Sequence, residues 1–241
     1  MFRKITIMIW TAIALLPAAA GSAAWADTPS ASSDAFDPVD RYGSEILFDV
    51  FRDGTPVGFH RVAFTRDTEG LAVNSQFELE VDFLFFTAYR YSYRSQARWQ
   101  NDQLVSLEAH VDDDGTASKL QAVRGKNGLT VANAELRYTI EQPIYPTNHW
   151  HPGVISETRV LNTLTGRIND VTIRPQGRQL IPTEAGDVMA MRFVYSGDLQ
   201  NEVWYDDAGR WVKMRFLGRD GSTIEYVCRR CQGRDAKQAQ R

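Results

Sequence analysis

The chain has 241 residues, 43% of them hydrophobic and 24% charged, with a formal charge of −3 at pH 7. So mild an acidic excess argues against nucleic acid and against anionic membrane surfaces as electrostatic partners. A chain of this length also sits near the upper size at which one β domain is ordinary.

The amino end reads as a secretory signal peptide, Met1–Ala26. Arg3 and Lys4 form a short positive region, and no charge appears from Ile5 to Gly21. Ala24-Trp25-Ala26 then places small residues where a signal peptidase needs them, followed by Asp27. An uncleaved anchor is the alternative. The apolar run lies at the short end of the roughly 17–25 residues that span a bilayer, and Pro17 with the small-residue tail favours cleavage. Without Arg3 and Lys4 the 27 basic residues become 25 against 30 acidic ones, a formal charge of −5. No cysteine stands near the cut, so no lipid-modified terminus is expected. No second long apolar run follows, so no transmembrane segment is expected after cleavage. The expected destination is the periplasm.

Residues 27–42, rich in Ser, Ala, Pro and Asp, read as a flexible leader. Residues 43–232 read as a single β domain, and 233–241 as a disordered polar tail. Ile46–Phe51 alternates, Asp53-Gly54 turns the chain, and Val57–Thr65 returns, a strong hairpin signal. Leu71–Val81 and Tyr89–Trp99 follow as longer strands. In Leu104–Val111, alternation puts Val105, Leu107, Ala109 and Val111 on one face. Asp114-Gly115 turns the chain into Ser118–Arg124, and shorter strands are expected near Leu129–Ala132 and Leu136–Glu141.

Pro143 and Pro146 interrupt this rhythm. Pro152–Leu164 is the best helix candidate, with proline suited to the first turn and Gly166 to the stop. Strands then resume at Ile168–Arg174, Arg178–Thr183, Val188–Tyr195, Leu199–Tyr205, Trp211–Leu217 and Ser222–Cys228. Trp99-Gln-Asn-Asp before Asp114-Gly115 echoes Trp204-Tyr-Asp-Asp before Asp220-Gly221, as two meanders of one curved sheet would. The predicted class is mainly β: a single antiparallel, strongly bent sheet, half-barrel or barrel, with one or two short helices. A two-layer sandwich is the alternative.

Two tracts are candidate ligand-binding residues. Tyr89, Tyr91 and Tyr93 alternate with charged and polar residues, so all three share one strand face. They form either plain core or the wall of a cavity for an apolar or lipid-like ligand. Phe83 and Phe85, in Phe83–Phe86, lack alternation and suit a lip that touches lipid or an envelope protein partner. His149, Trp150 and His151 lie on a proline-bounded loop. They either bind a ligand or cap the following helix and plug one end of a barrel; a third metal ligand cannot be located. Glu78, Glu80 and Asp82 alternate on one face, as paired acids or as a solvated face. Cys228 and Cys231 are expected to form a local disulfide in an oxidising compartment, ahead of redox thiols or a metal site. No cofactor is indicated. No nucleophile elbow, zinc-protease, phosphate-loop or dinucleotide motif is present, so no catalytic residue is assigned; a protein without enzyme activity is the first expectation and an enzyme stays open as the alternative.

Phe48-Asp-Val-Phe-Arg-Asp-Gly-Thr-Pro-Val-Gly-Phe-His-Arg-Val, Tyr89-Arg-Tyr, Trp99, Leu104-Val-Ser-Leu, His149-Trp150, Trp204-Tyr-Asp and Asp220-Gly-Ser-Thr-Ile-Glu-Tyr resemble a bacterial exported family, the domain of unknown function 6134. The resemblance covers most of Ile46–Val227. It implies a bent sheet partly wrapped around a helix, like that of lipoprotein carriers, and no catalytic residues. The expected function is non-catalytic binding of an apolar or lipid-like ligand, or envelope maintenance. A protein–protein interaction module of the envelope, and a hydrolase or isomerase acting on an envelope component through His149, His151 or nearby carboxylates, are the alternatives.

Overall fold

The computed structural model of the protein describes residues 36–83 and 86–233. The signal peptide, most of the expected leader, Phe85 and nearly all of the polar tail lie outside them. The first half is a meander of β1 (Glu45–Arg52), β2 (Thr55–Asp67), β3 (Gly70–Phe83), β4 (Phe86–Gln100), β5 (Gln103–Asp113), β6 (Thr116–Gly125), β7 (Gly128–Ala132) and β8 (Arg137–Ile140). The second half comprises β9 (Tyr145–Pro146), β10 (Arg159–Leu161), β11 (Ile168–Ile181), β12 (Val188–Gly197), β13 (Asn201–Asp206), β14 (Trp211–Leu217) and β15 (Thr223–Arg230). Strand β15 pairs with β1, so the two meanders join into one fifteen-stranded sheet running from β8 to β9. The pairs are antiparallel except β9 with β10.

Local chemistry sets the hairpins. Asp53-Gly54 (φ 48° and 81°) and Asp114-Gly115 (φ 52° and 88°) each place two successive residues in the left-handed region. That is the two-residue turn whose twist matches the flanking strands. The sheet curls without closing its ladder. Its β7–β8 edge reaches the β10–β11 turn through side chains: the Tyr138 hydroxyl donates to Gly166 O at 2.6 Å, and Asn133 Nδ2 to Thr165 O at 2.9 Å. The concave face carries the core, with Ile46, Phe48 and Val50 of β1 at 0% exposure.

Four expectations change. Pro152–Leu164 is not a helix; a 3-10 turn over Pro152–Ser156 gives way to β10. Its apolar positions are too few for a helical stripe. Val160 and Leu161, adjacent and both fully buried, suit a strand covered on both faces. The leader is shorter than expected: Pro38–Tyr42 forms α1, capped by Asp37, whose carboxylate accepts the Val39 N–H at 2.9 Å. The two strands expected around Pro175 are one strand, β11, with an irregular register from Pro175 to Arg178. In β5 a bulge leaves Val105 unpaired between Leu104 and Ser106, so Leu104 and not Val105 is buried.

Among the described residues no helix is long and apolar enough to cross a membrane. Cys228 and Cys231 form a disulfide at the end of β15. Glu78 and Glu80 lie on the convex face, paired with Arg94 and Arg90 of the neighbouring strand, each at 2.7 Å. The solvated-face reading of these acids therefore holds.

Candidate functional site

The register of β1–β5 sorts the concave side chains into rows. His60 lies opposite Phe77 and Phe77 opposite Tyr93; one row further on, Gly58, Leu79 and Tyr91 align, and then Val81 and Tyr89. On the other side of β1, Val50 pairs with Tyr226, and Tyr226 with Met214. Toward α1 the concave side is packed by Tyr42, Phe64, Trp99 and Trp150, beside a second hollow of about 760 Å3 between Phe36–Pro38 and the β2–β3 and β4–β5 turns. The Trp150 ring lies 5.5 Å from Phe64 and 5.2 Å from Trp99. At the opposite end, where the β1–β2, β5–β6 and β14–β15 turns gather, the rows enclose a cavity of about 670 Å3.

Its wall is largely apolar and aromatic. Phe77, Leu79 and Val81 of β3 face Met214, Phe216, Ile224 and Tyr226 of β14 and β15. Tyr89, Tyr91 and Tyr93 all line it. Burial raises the pKa of each hydroxyl, that of Tyr91 to about 12, so all three are neutral hydrogen-bonding groups. The Tyr93 hydroxyl sits deepest, beside Ser95, Thr163 and Asn148, yet makes no well-formed hydrogen bond. Tyr89 donates to Asp113 at 2.6 Å near the rim.

Among the described lining residues charge is confined to the mouth. Arg52 pairs with Asp220 at 2.7 Å and Arg219 with Asp113 at 3.1 Å. Both pairs are partly solvated, and each cation already has its anion. The far end holds two imidazoles. Burial, reinforced by the nearness of His149, lowers the His60 pKa to about 3; burial lowers that of His149 to about 4. Both are neutral at physiological pH. His149 is anchored from both sides: its carbonyl accepts the Tyr205 hydroxyl at 2.7 Å, and Asn201 Nδ2 lies 3.4 Å from its Nε2.

The loop candidates do not stay together. His149 borders the cavity, whereas Trp150 and His151 face the packed end. The His151 ring stacks on Trp99 at 6.2 Å, its Nε2 lies 2.8 Å from Asp102, and its Nδ1 accepts the Gly153 N–H at 2.9 Å. His151 therefore caps the 3-10 turn and ties it to the β4–β5 hairpin. Burial lowers its pKa, with Asp102 opposing. Among the described residues no cluster of three metal-ligating side chains forms. Phe83 ends β3, two residues past Val81 at the cavity mouth, and Phe85 lies outside the described residues.

Sequence reasoning missed several lining residues, His60, Trp211 and Tyr226 above all. One signal was present: His60 shares its alternation with Val62 and Phe64, which marks a polar ring in an inward register.

A comparison with curated proteins finds no match. Among solved structures the fold is similar to a crystal structure of a beta-barrel-like protein of domain of unknown function DUF1849 from Brucella abortus, with a TM-score of 0.56. The two chains are 13% identical over 78% of this chain and 96% of that one, a likeness of fold alone. The residues that carry the hairpins and the cavity rows, 48–229, match the family described as Domain of unknown function (DUF6134), and the chain belongs to it.

Proposed function

We propose that this is an exported periplasmic protein that holds an apolar, lipid-like molecule in the cavity between β3–β4 and β14–β15 and catalyses no reaction on it. The observation that carries the reading is the cavity itself. About 670 Å3 falls in the range of roughly 300–1,000 Å3 typical of small-molecule sites. Most of the surface its wall exposes is apolar, with uncharged polar groups such as Thr147, Asn148, Thr163 and Asn201 on one side and matched charge pairs at the mouth. A curled sheet suits this task because alternate side chains line the hollow while the convex face stays solvated. Export rests on the tripartite pattern of Met1–Ala26.

Native mass spectrometry of freshly purified protein, followed by solvent extraction, tests the first part. Adduct masses that disappear on extraction and reload from an apolar compound are expected. Protein that is ligand-free when isolated and takes up no apolar probe overturns the reading. Amino-terminal sequencing of the protein from fractionated cells tests the second part, with Asp27 as the expected first residue in the periplasmic fraction.

A further inference from the structure

His60 does not fit the needs of a packed core. Four aromatic rings surround it: Tyr226 at 5.4 Å, Trp211 at 5.6 Å, Phe77 at 5.9 Å and Phe48 at 6.4 Å between centroids. Its Nδ1 is enclosed with no hydrogen-bond partner among the described residues, so Nε2, which is not enclosed, is the ring nitrogen left to meet the contents of the cavity that the ring borders. A neutral imidazole has one donor and one acceptor to satisfy, and leaving such a group buried and unpaired is costly. A phenyl ring at this position would pack as well without that cost.

The charges around the cavity narrow what can partner it. The charged lining residues are Arg52, Asp113, Arg219 and Asp220, all at the turns of the open end and paired with one another. Among the described lining residues none is a cation at the His60 end, where an anionic head would give up water without a counter-ion. An uncharged hydroxyl or carbonyl meets no such penalty.

We propose that the ligand is an aliphatic chain carrying one uncharged oxygen group, hydroxyl or carbonyl, which seats against His60 while the chain runs past Tyr91 and Leu79 toward the mouth. This rests on the ligand-binding reading above and adds the polarity and direction of the ligand. The burial that keeps His60 neutral is consistent with it, since a neutral ring is a hydrogen-bonding group and not a cation for a carboxylate.

The test is displacement of the neutral dye N-phenylnaphthylamine from the full exported chain by decanol, decanoate and chlorodecane near neutral pH. Decanol is expected to bind about fivefold tighter than chlorodecane, the contribution of one ordinary hydrogen bond. Against decanoate the margin is expected to be tenfold or more, from the cost of burying an unpaired carboxylate. His60→Phe should bind chlorodecane as the wild type does and lose the preference for decanol. Decanoate binding as well as decanol overturns the inference, and so does a decanol preference that survives His60→Phe. If that variant does not fold, the wild-type series decides alone. Equal binding of all three compounds removes the inference and leaves the cavity reading standing, whereas failure of the dye to bind removes both.

Discussion

The Tyr42 hydroxyl joins two backbone groups that lie far from it in sequence. It accepts the N–H of Trp211, 169 residues away, at 2.8 Å, and donates to the carbonyl of Trp150, 108 residues away, at 2.8 Å. One side chain from α1 thus ties the loop that fills the closed end to the first residue of β14. Trp211 borders the cavity, so Tyr42 also braces its inner wall. All three residues are about 1% exposed, so no water replaces a lost bond.

Tyr42→Phe is therefore expected to cost about 2–4 kcal/mol, because it leaves a donor and an acceptor buried and unpaired while preserving the packing. Urea unfolding should show a lower midpoint with an unchanged slope. A loss below about 0.5 kcal/mol would show that these bonds do not hold the closed end.

Gly58 sits where β2 and β3 come too close for a side chain. A Cβ built there lies 1.9 Å from the carbonyl oxygen of Glu78, a backbone atom that cannot swing aside. Gly58→Ala must push the strands apart one row from His60, at an expected cost of about 1–3 kcal/mol. The same denaturation experiment reads it. A neutral result would mean that the β2–β3 ladder is looser at Gly58 than its register implies.

Acid should weaken the fold through its buried histidines. The folded-state pKa of His60 is about 3 and that of His149 about 4, against the ordinary 6.5. Below 6.5 the unfolded chain takes up protons that the folded chain refuses. The stability these rings contribute is thus complete above about pH 6.5 and is lost as the pH falls toward 4 and then 3. Each contributes a slope of at most about 1.4 kcal/mol per pH unit, and His151, also lowered, acts in the same direction. Glu108 is held down to about 2 by hydrogen bonds from Lys119 and His110, so its protonation comes at lower pH. Unfolding free energies of wild type and His149→Phe from about pH 7 to 4.5 should differ in slope; parallel curves would contradict the assignment.

The Cys228–Cys231 bond closes a short loop, with a sequence separation of three. Chain-entropy reasoning gives so short a closure only about 2 kcal/mol. Reduction should therefore lower the urea midpoint modestly and leave a cooperative transition. Loss of the folded state on reduction would show that the bond holds more than its own loop, for instance the contact of Cys231 with Leu47 O.

Much of this architecture was legible because hairpin chemistry is local. Asp53-Gly54 and Asp114-Gly115 declare their turns within two residues, and strict alternation then fixes which side chains face in, as it does for Tyr89, Tyr91 and Tyr93. What escaped depends on distant partners. Nothing near Tyr42 says that its hydroxyl meets Trp150 and Trp211, so the segment reads as leader. Val160 and Leu161 become a strand because β11 lies beside them. The bulge at Val105 exists because β4 opposes it. Likewise His149 and His151, two residues apart, part company because His149 borders the hollow beside Asn201 while His151 packs on Trp99 outside it.

The cavity can be closed from its own wall. Leu79 lies on β3 between Phe77 and Val81, 7% exposed, and borders the hollow opposite Tyr91. Leu79→Trp places added ring volume in space that is open in this structure, so it should not overpack the packed core nearer α1. Uptake of a neutral apolar dye is expected to fall about tenfold or more, with a melting temperature within a few degrees of wild type. Val123→Trp is the control, because Val123 is 58% exposed and remote from the cavity lining. If Leu79→Trp binds the dye as well as the control does, the dye sits elsewhere, and the hollow between β3–β4 and β14–β15 is not the site.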